Sequence, residues 1–349
     1  MARFPIVVIG ASAGGVEAVA RLVRDLPTNL PAAVFVALHF PPYSTSVLPR
    51  ILSRAGRMQA SHPSEGEPIQ AGRVYVAPPD RHLIIGRERM RLVHGPKENG
   101  NRPAIDPLFR SAAIAHGARV IGVVLTGNLD DGTAGLLTIK RRGGTVIVQD
   151  PNDALFPSMP MSAIGHVRVD HVLPLDQIAA LIEKLVAQRL EKPSKTASPL
   201  DAVPDAASRE TAYAAADLNV IEDPEHHPGT PSQFGCPDCG GVLWEIKDGQ
   251  FTRFRCRVGH AYTAEGLAVR QDERLDEAFW VALRALEETA SLARFMSQRA
   301  RGQGNDIRAA KHERDAQTAE RKASLIRDRL LLAQEDERRG REKLEVAQQ

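Results

Sequence analysis

The chain is poor in cysteine and has no long hydrophobic run, and each shortage excludes a class of protein. Its three cysteines all lie between positions 236 and 256 of 349 residues. This count excludes a disulfide scaffold, and the clustering indicates a metal site in a reducing compartment. No apolar run approaches the roughly 20 residues that a membrane-spanning helix needs. The apolar run near the N-terminus is short and passes into a glycine-rich turn, which is typical of a buried strand rather than a signal peptide. We therefore expect a cytoplasmic protein without membrane insertion.

An excess of charge of one sign is also missing. Lysine and arginine number 45 and aspartate and glutamate 43, so the net charge is only +2. The two signs are interleaved, so neither nucleic acid nor a membrane surface is expected as a partner. The oligomeric state is not readable from these numbers.

Residues 1–188 alternate short apolar runs with amphipathic patterns. This alternation predicts an α/β fold, a doubly wound and mostly parallel sheet. The segment 73–92 differs and reads as short strands joined by turns, an antiparallel edge. The predicted strands are 5–9, 32–38, 74–77, 120–125 and 145–148, and the predicted helices are 15–25, 46–55, 105–116, 132–142 and 175–188.

Three further regions follow. Residues 189–230 are rich in Pro, Ala, Ser and Asp and predict a flexible linker. Residues 231–265 hold the cysteines and predict a small metal-binding module. Residues 266–349 carry apolar residues at helical spacing on both sides of a turn at 301–305, which predicts a helical hairpin or tail.

The sharpest local signal is IVVIGASAGGVEAV, in which a strand passes through a tight glycine-flanked turn into a helix. The turn exposes Ser12 at a helix N-terminus, where developing negative charge is stabilised. The same pattern also suits nucleotide binding and is similar to the opening of short-chain dehydrogenases. Val16 replaces a glycine of that motif, however, and no tyrosine is followed by lysine four residues later. The motif alone leaves hydrolase and nucleotide-dependent oxidoreductase both open.

Two further strand ends carry polar residues. His39 follows the strand in VALHFPP, and Asp131 lies in the turn LTGNLDDG. Taken singly, such a histidine is usually structural and such an aspartate usually caps a helix. Because ends of parallel strands meet at one edge, Ser12, His39 and Asp131 together predict a catalytic triad.

These residues resemble the catalytic domain of the bacterial chemotaxis protein-glutamate methylesterases, the CheB family. The resemblance rests on GASAGG, HFPP and LTGNLDDG and continues through RPAIDPLFRSAA and VIVQDPNDALFPSMPMSAI. It covers about residues 4–188.

The resemblance implies hydrolysis of a glutamyl methyl ester, with possible deamidation of glutamine, on a methylated receptor or other signalling protein. Ser12 would be the nucleophile, His39 the base and Asp131, rather than Asp130, the acid that orients it. Backbone N–H groups near Ala13 or Asn128 would form the oxyanion hole. No cofactor is expected for catalysis.

The sequence departs from the family pattern at three turn positions and in domain content. Ala13 stands where the family commonly has Thr, Asn128 where it has Met, and Leu129 where it has Gly. No receiver domain precedes the first strand, so we expect no regulation by phosphorylation in cis. These departures keep open an alternative, an inactive scaffold or signalling module.

The cysteine region predicts a structural zinc site in a zinc-ribbon-like module. Cys236 and Cys239 form C-x-x-C, and Cys256 and His260 form C-x-x-x-H, which supplies three thiolates and one imidazole for tetrahedral Zn²⁺. His226 and His227 could compete as ligands. A hairpin turn is predicted at 248–249. Arginines 253, 255 and 257 alternate along one strand and predict a solvated face.

Overall fold

The fold is taken from a computed structural model, which describes residues 4–191, 206–215, 229–249 and 251–346, with side chains up to residue 332. The chain divides into two compact units, Met1–Ala268 and Val269–Gln349. The predicted linker residues 192–205 and 216–228, including His226 and His227, lie outside the described residues.

The first unit is built on a seven-stranded sheet. Its strands are β1 (Ile6–Ala11), β2 (Ala33–Leu38), β3 (Gln59–Ser61), β4 (Arg73–Val76), β7 (Val120–Val124), β8 (Thr145–Gln149) and β9 (His171–Leu173). Every neighbouring pair is parallel, and the order is β3-β4-β2-β1-β7-β8-β9. The central strands are fully buried runs rich in valine and isoleucine, as expected for a parallel sheet covered on both faces.

Helices cover both faces of this sheet. One face packs against α1 (Gly15–Asp25), α2 (Leu48–Ala55) and α6 (Leu175–Glu191). The other face packs against α3 (Ile105–His116), α4 (Thr133–Arg141) and α5 (Ser158–His166). Alternate residues of β1 point into the two cores, Val7 and Ile9 into one and Ile6 and Val8 into the other. The predicted doubly wound parallel α/β fold is therefore confirmed.

The order of the strands places a switch point between β1 and β7. Strand β1 pairs with β2 on one side and with β7 on the other, and Ile6 lies opposite both Ala33 and Val120. The carboxyl ends of β1, β2 and β7 therefore lie side by side, which is where open α/β sheets form their sites.

The segment 73–92 is divided between two sheets. Arg73–Val76 joins the parallel sheet as β4, so that part of the antiparallel prediction is wrong. His82–Ile85 (β5) and Met90–Val93 (β6) form the expected antiparallel pair, as a separate two-stranded sheet.

Part of the predicted linker is a packed helix. Residues Ala206–Ala214 form α7, in which Glu210, Tyr213 and Ala214 are buried. Gly95 permits this packing, because a Cβ there would lie 1.9 Å from the carbonyl oxygen of Ala214. Local sequence patterns do not predict this helix, because the helix is short and has a buried charged residue in place of an apolar stripe.

The cysteine region, here called the metal module, is a four-stranded antiparallel sheet in the first unit. Its strands are β10 (Thr230–Gly235), β11 (Val242–Asp248), β12 (Phe251–Cys256) and β13 (Ala261–Thr263). The predicted turn after Asp248 is confirmed, since Gly249 has a left-handed φ of 70°. The module packs on the α/β domain: Asp248 pairs with Arg141, and the rings of Phe251 and His166 lie 4.8 Å apart.

The second unit is a pair of long helices, α8 (Ala264–Gly302, which begins at the end of the first unit) and α9 (Asp306–Val346). They run antiparallel, because Ser297 donates to the carbonyl of Ala309 while Glu287 pairs with Arg327. The predicted hairpin is thus confirmed. Among the described residues, no helix combines the length and apolar character needed to cross a bilayer.

Candidate active site

Ser12 stands directly after β1 in the tight turn that starts α1. Its backbone N–H donates to the carbonyl of Thr126 at 3.0 Å, which ties it to the end of β7. Gly14 caps the helix with a φ of 71°, a conformation that L side chains rarely adopt. The turn therefore presents the Ser12 hydroxyl at the carboxyl edge of the sheet.

His39 follows β2 and joins the other two predicted triad residues. Its Nδ1 lies 2.9 Å from Ser12 Oγ, and its Nε2 lies 2.7 Å from Asp131 Oδ2. An ionised carboxylate only accepts hydrogen bonds, so Nε2 carries the proton and Nδ1 is left to accept from the hydroxyl. The two ring nitrogens are exchanged relative to the usual serine-protease arrangement, but the roles of donor and acceptor are retained.

The Asp131 carboxylate is almost fully buried and accepts four hydrogen bonds. Oδ2 accepts from His39 and from the backbone N–H of Ile105 at 2.7 Å. Oδ1 accepts from Asn99 Nδ2 at 3.0 Å and from the N–H of Asp106 at 3.2 Å. Burial favours the neutral acid, but the hydrogen bonds and charge of His39 and the bonds from Ile105 and Asn99 outweigh it, and the pKa of Asp131 is lowered.

Asp131 also has a structural role. Ile105 and Asp106 open α3, whose N-cap residue Ala104 has no side-chain capping bond. The carboxylate of Asp131 caps this helix from a distant turn and meets its positive end.

The turn that carries Asp131 accommodates Leu129. This residue has a φ of 61°, a left-handed conformation that glycine adopts without cost. Gly132 follows with a φ of 99° and starts α4. The backbone thus keeps a glycine-like path at position 129 even though the side chain is leucine.

The backbone N–H groups of Ala13 and Asn128 are the predicted oxyanion donors. In the described part of the chain, the N–H groups of Ala13 and Asn128 have no recorded acceptor, whereas those of Ser12, Gly15 and Gly127 all bond to carbonyls. Ala13 and Asn128 follow the ends of β1 and β7, the two strands that flank the switch point.

Sequence reasoning missed Asn99 and Glu98, which lie in the loop before α3. Glu98 is buried and accepts from Arg110 at 2.7 and 2.8 Å and from Arg255 at 2.9 Å. Neither residue follows a strand or belongs to a spacing motif, so only the folded chain reveals them. The motif RPAIDPLFRSAA, which contains Arg110, was the nearest available signal.

The prediction of a solvated arginine face is wrong for two of its three members. Arg255 is fully buried and Arg253 is 8% exposed. Both pair with Glu210 of α7, and Arg255 also pairs with Glu98. Acidic partners far apart in sequence make this burial possible, and those partners are invisible in the local pattern.

The predicted metal ligands converge. Cys236, Cys239, Cys256 and His260 place their ligand atoms within 4.8 Å of one another, so the cluster could bind a metal. The sulfurs of Cys239 and Cys256 lie 3.7 Å apart, and His260 Nδ1 lies 3.7 and 3.5 Å from the sulfurs of Cys236 and Cys256. Tetrahedral zinc bonds of about 2.3 Å to sulfur and about 2.0 Å to nitrogen require sulfur–sulfur and sulfur–nitrogen separations of about 3.8 and about 3.5 Å. The four residues therefore fit a tetrahedral ion.

Asp130 is buried beside the Asp131 carboxylate and makes no hydrogen bond to His39. Burial raises the pKa of Asp130 to about 7; the Thr263 hydroxyl opposes this, while the Glu265 and Asp131 carboxyls reinforce it. Since the unfolded value is about 3.9, the folded chain holds this proton more tightly. This carboxyl's contribution to stability is therefore complete below about pH 4 and is lost as the pH rises to about 7.

Asp130→Asn should remove the loss of stability that the Asp130 carboxyl causes as the pH rises. Between pH 5 and pH 8 the unfolding free energy of the variant should therefore rise by about 1–3 kcal/mol relative to that of the parent chain. Urea denaturation of both proteins at the two pH values measures it. An identical pH dependence in the two proteins would contradict the assignment.

A serine, a histidine and a buried carboxylate joined by hydrogen bonds at the edge of a parallel sheet match the arrangement found in serine hydrolases. The CheB methylesterase family model matches residues 7–182, half of the chain. The chain belongs to the CheB methylesterase family, as the sequence motifs predicted.

Known proteins support this membership. The catalytic domain of the CheB methylesterase of Thermotoga maritima is 35% identical, with a TM-score of 0.51, and the match covers 52% of this chain and 99% of that one. A protein-glutamate methylesterase/protein-glutamine glutaminase 2 from Anaeromyxobacter dehalogenans is 40% identical over 184 residues, 53% of this chain and 54% of the relative. Another of the same name, from Methanosarcina mazei, is 38% identical over 189 residues, 52% of each chain. The chain thus spans about half the length of these curated relatives.

Proposed function

We propose that the chain is a carboxylic ester hydrolase that cleaves glutamyl methyl esters on a signalling protein. The observation that carries this proposal is the unbroken chain of hydrogen bonds from Ser12 through His39 to Asp131. The names of the curated relatives support the glutamyl ester as the substrate class.

The geometry supports a two-step acyl transfer. As the Ser12 oxygen attacks the ester carbonyl, Nδ1 of His39 takes the hydroxyl proton and the carbonyl becomes an oxyanion. The N–H groups of Ala13 and Asn128 are the donors we assign to that oxyanion. Collapse breaks the bond to methoxide, which receives the proton from His39 and leaves as methanol. Water, deprotonated by the same nitrogen, then attacks the acyl carbon, the bond to the Ser12 oxygen breaks, and His39 returns the proton to that oxygen as glutamate is released.

Asp131 supports both steps without exchanging a proton. Its lowered pKa keeps it ionised, so it stabilises the imidazolium that forms when His39 is protonated. Glutamine deamidation follows the same course with ammonia as leaving group, and the relatives' names include that activity.

The first test is methanol release from the methylated cytoplasmic domain of a chemoreceptor, with the unmethylated domain as control. Release from the methylated domain alone is the expected result. If methanol does not form but a small activated ester is hydrolysed, the methylated substrate lies elsewhere. Failure on both substrates would favour the inactive scaffold.

For the metal module we propose structural Zn²⁺ in a zinc-ribbon-like fold. Three sulfurs and one nitrogen fill all four tetrahedral positions, so no position remains for a substrate. Cys236 and Cys256 are buried, and the cluster of buried apolar residues around them is small. So small a core gains much of its stability from a bound ion.

Removal of the metal should unfold this module selectively. We expect about one zinc ion per chain in protein purified without chelator, and loss of amide protection in β10–β13 after chelation, with the parallel sheet retained. Hydrogen exchange with and without restored zinc measures both. Equal protection of β10–β13 in the two states would contradict a structural ion.

A further inference from the structure

Among the described residues, the side chain of Asn99 links the metal module to the Asp131 carboxylate. Its Nδ2 donates to Asp131 Oδ1 at 3.0 Å and to Asp106 Oδ2 at 3.3 Å. Its Oδ1 accepts the backbone N–H of Thr263, in β13, at 3.1 Å. Two acceptors lie on one side of the amide and a donor on the other, so the partners themselves fix which atom is nitrogen. The carboxamide thus bridges the module and the triad carboxylate.

The backbone of Asn99 is held by the same strand. Its N–H donates to the carbonyl of Ala261 at 2.7 Å, and the N–H of Ala261 donates to the carbonyl of Lys97 at 3.2 Å. Ala261 directly follows His260, one of the four clustered ligands. Asn99 has a φ of 50°, a conformation that asparagine tolerates better than most residues. Its position therefore depends on where β13 lies.

A second contact fastens the other ligand-bearing strand to the same loop. Arg255, next to the ligand Cys256, pairs with Glu98, and its other nitrogen donates to the carbonyl of Gly259 at 2.8 Å. Gly259 has a φ of 110°, and a Cβ there would lie 2.8 Å from the Pro96 side chain. The loop between Cys256 and His260 is thus seated closely on the segment that carries Asn99.

We propose that occupancy of the Cys236–Cys239–Cys256–His260 site controls the esterase, because the folded module holds Asn99 and Asn99 positions the Asp131 carboxylate. The inference rests on the proposed hydrolase function and on the proposed ion. Asn99 is a positioning residue: it touches Asp131 and neither Ser12 nor His39. A bound ion would fix the turn that ends at His260, and hence β13. Without it, the strand that orients Asn99 loses its anchor.

A displaced Asn99 leaves Oδ1 of Asp131 with one fewer donor and lets the carboxylate turn away from His39. Small misplacements of catalytic groups cost about 10²-fold in rate. We expect metal removal to lower kcat by about that factor and to leave KM unchanged, because no substrate contact is assigned to the module. Restored zinc should return kcat to its starting value.

The test compares four full-length proteins: the parent chain, Cys239→Ser, Asn99→Gly and a control, Asn305→Gly. Glycine at 99 keeps the positive φ and removes the whole side chain, including the carboxamide. Asn305 lies in the exposed turn before α9 and is the matched asparagine-to-glycine change. Each protein is measured zinc-loaded and chelated, for bound zinc, for methanol release, and for the rate at which a fluorophosphonate labels Ser12.

The expected result is non-additivity. Zinc-loaded Asn99→Gly should bind zinc like the parent chain, yet release methanol and label Ser12 about 10²-fold more slowly. Chelation should then slow it little further, since the connection is already broken. Cys239→Ser should resemble the chelated parent chain, and Asn305→Gly the parent chain in both states. If the module is purely structural, the fold-decreases in rate caused by Asn99→Gly and by chelation should be independent, and the chelated variant should show their product. That result would overturn the proposal.

The remaining outcomes separate this inference from the proposed function. Labelling that depends on zinc, without methanol release, would reject the methylated receptor as substrate and retain regulation by the metal site. Methanol release and labelling that are equal with and without zinc would reject regulation by the metal site and retain the esterase. A chain that binds no zinc overturns regulation by the metal site outright. A zinc-loaded parent chain whose Ser12 is not labelled overturns both proposals.

Discussion

Ser12→Ala should abolish ester hydrolysis, with a fall in kcat on the order of 10⁶-fold. In the proposed mechanism the hydroxyl oxygen accepts the acyl group, and it lies 2.9 Å from Nδ1 of His39. Alanine removes that oxygen and leaves every backbone hydrogen bond of the turn in place, including the one from position 12 to Thr126. Methanol release under single-turnover conditions measures the loss.

The control for Ser12→Ala is a measurement that the variant is folded like the parent chain. Thermal unfolding and amide exchange across β1 and α1 should match the parent chain, because the side chain supplies chemistry rather than core volume. Retained hydrolysis in a folded Ser12→Ala protein would remove Ser12 from the mechanism.

The sheet was predictable because its local signals agree with its tertiary environment. Buried β-branched runs such as those of β1 and β7 favour strands covered on both sides, and α1 and α3 were predicted with their observed bounds. The short edge strands β3 and β9 were missed because three residues are too few to show a periodic pattern of apolar and polar residues. Glycines at 14 and 132 marked the two turns that carry the candidate nucleophile and acid.

The part of the site that sequence could not predict is the part made by distant contacts. Asn99 lies in a loop without a motif, and its partners come from positions 106, 131, 261 and 263. Arg253 and Arg255 read as a solvated face because their acidic partners, Glu98 and Glu210, are remote in the chain. Burial of charge is decided by such partners, and no local pattern encodes them.

Asp131→Asn should lower kcat by up to about 10⁴-fold, if the triad is organised as in better-known serine hydrolases. All four groups that touch this carboxylate are donors: the His39 ring, the N–H groups of Ile105 and Asp106, and Asn99 Nδ2. The NH₂ of an asparagine side chain is itself a donor, so in Asp131→Asn it must face at least one of these four donors. If it opposes His39, the ring takes the other tautomer and can no longer accept the Ser12 proton.

The same conflict costs stability, by about 1–3 kcal/mol for a buried group left without its partner, because Asp131 also caps α3. The matched control is Asp130→Asn, one residue earlier. That side chain is equally buried but makes no contact with His39, so kcat near pH 7 should stay close to that of the parent chain. Steady-state kinetics and urea denaturation of both variants separate the two aspartates. Loss of activity in Asp130→Asn with retention in Asp131→Asn would reverse their assignment, since only one of the two adjacent carboxylates can orient the histidine.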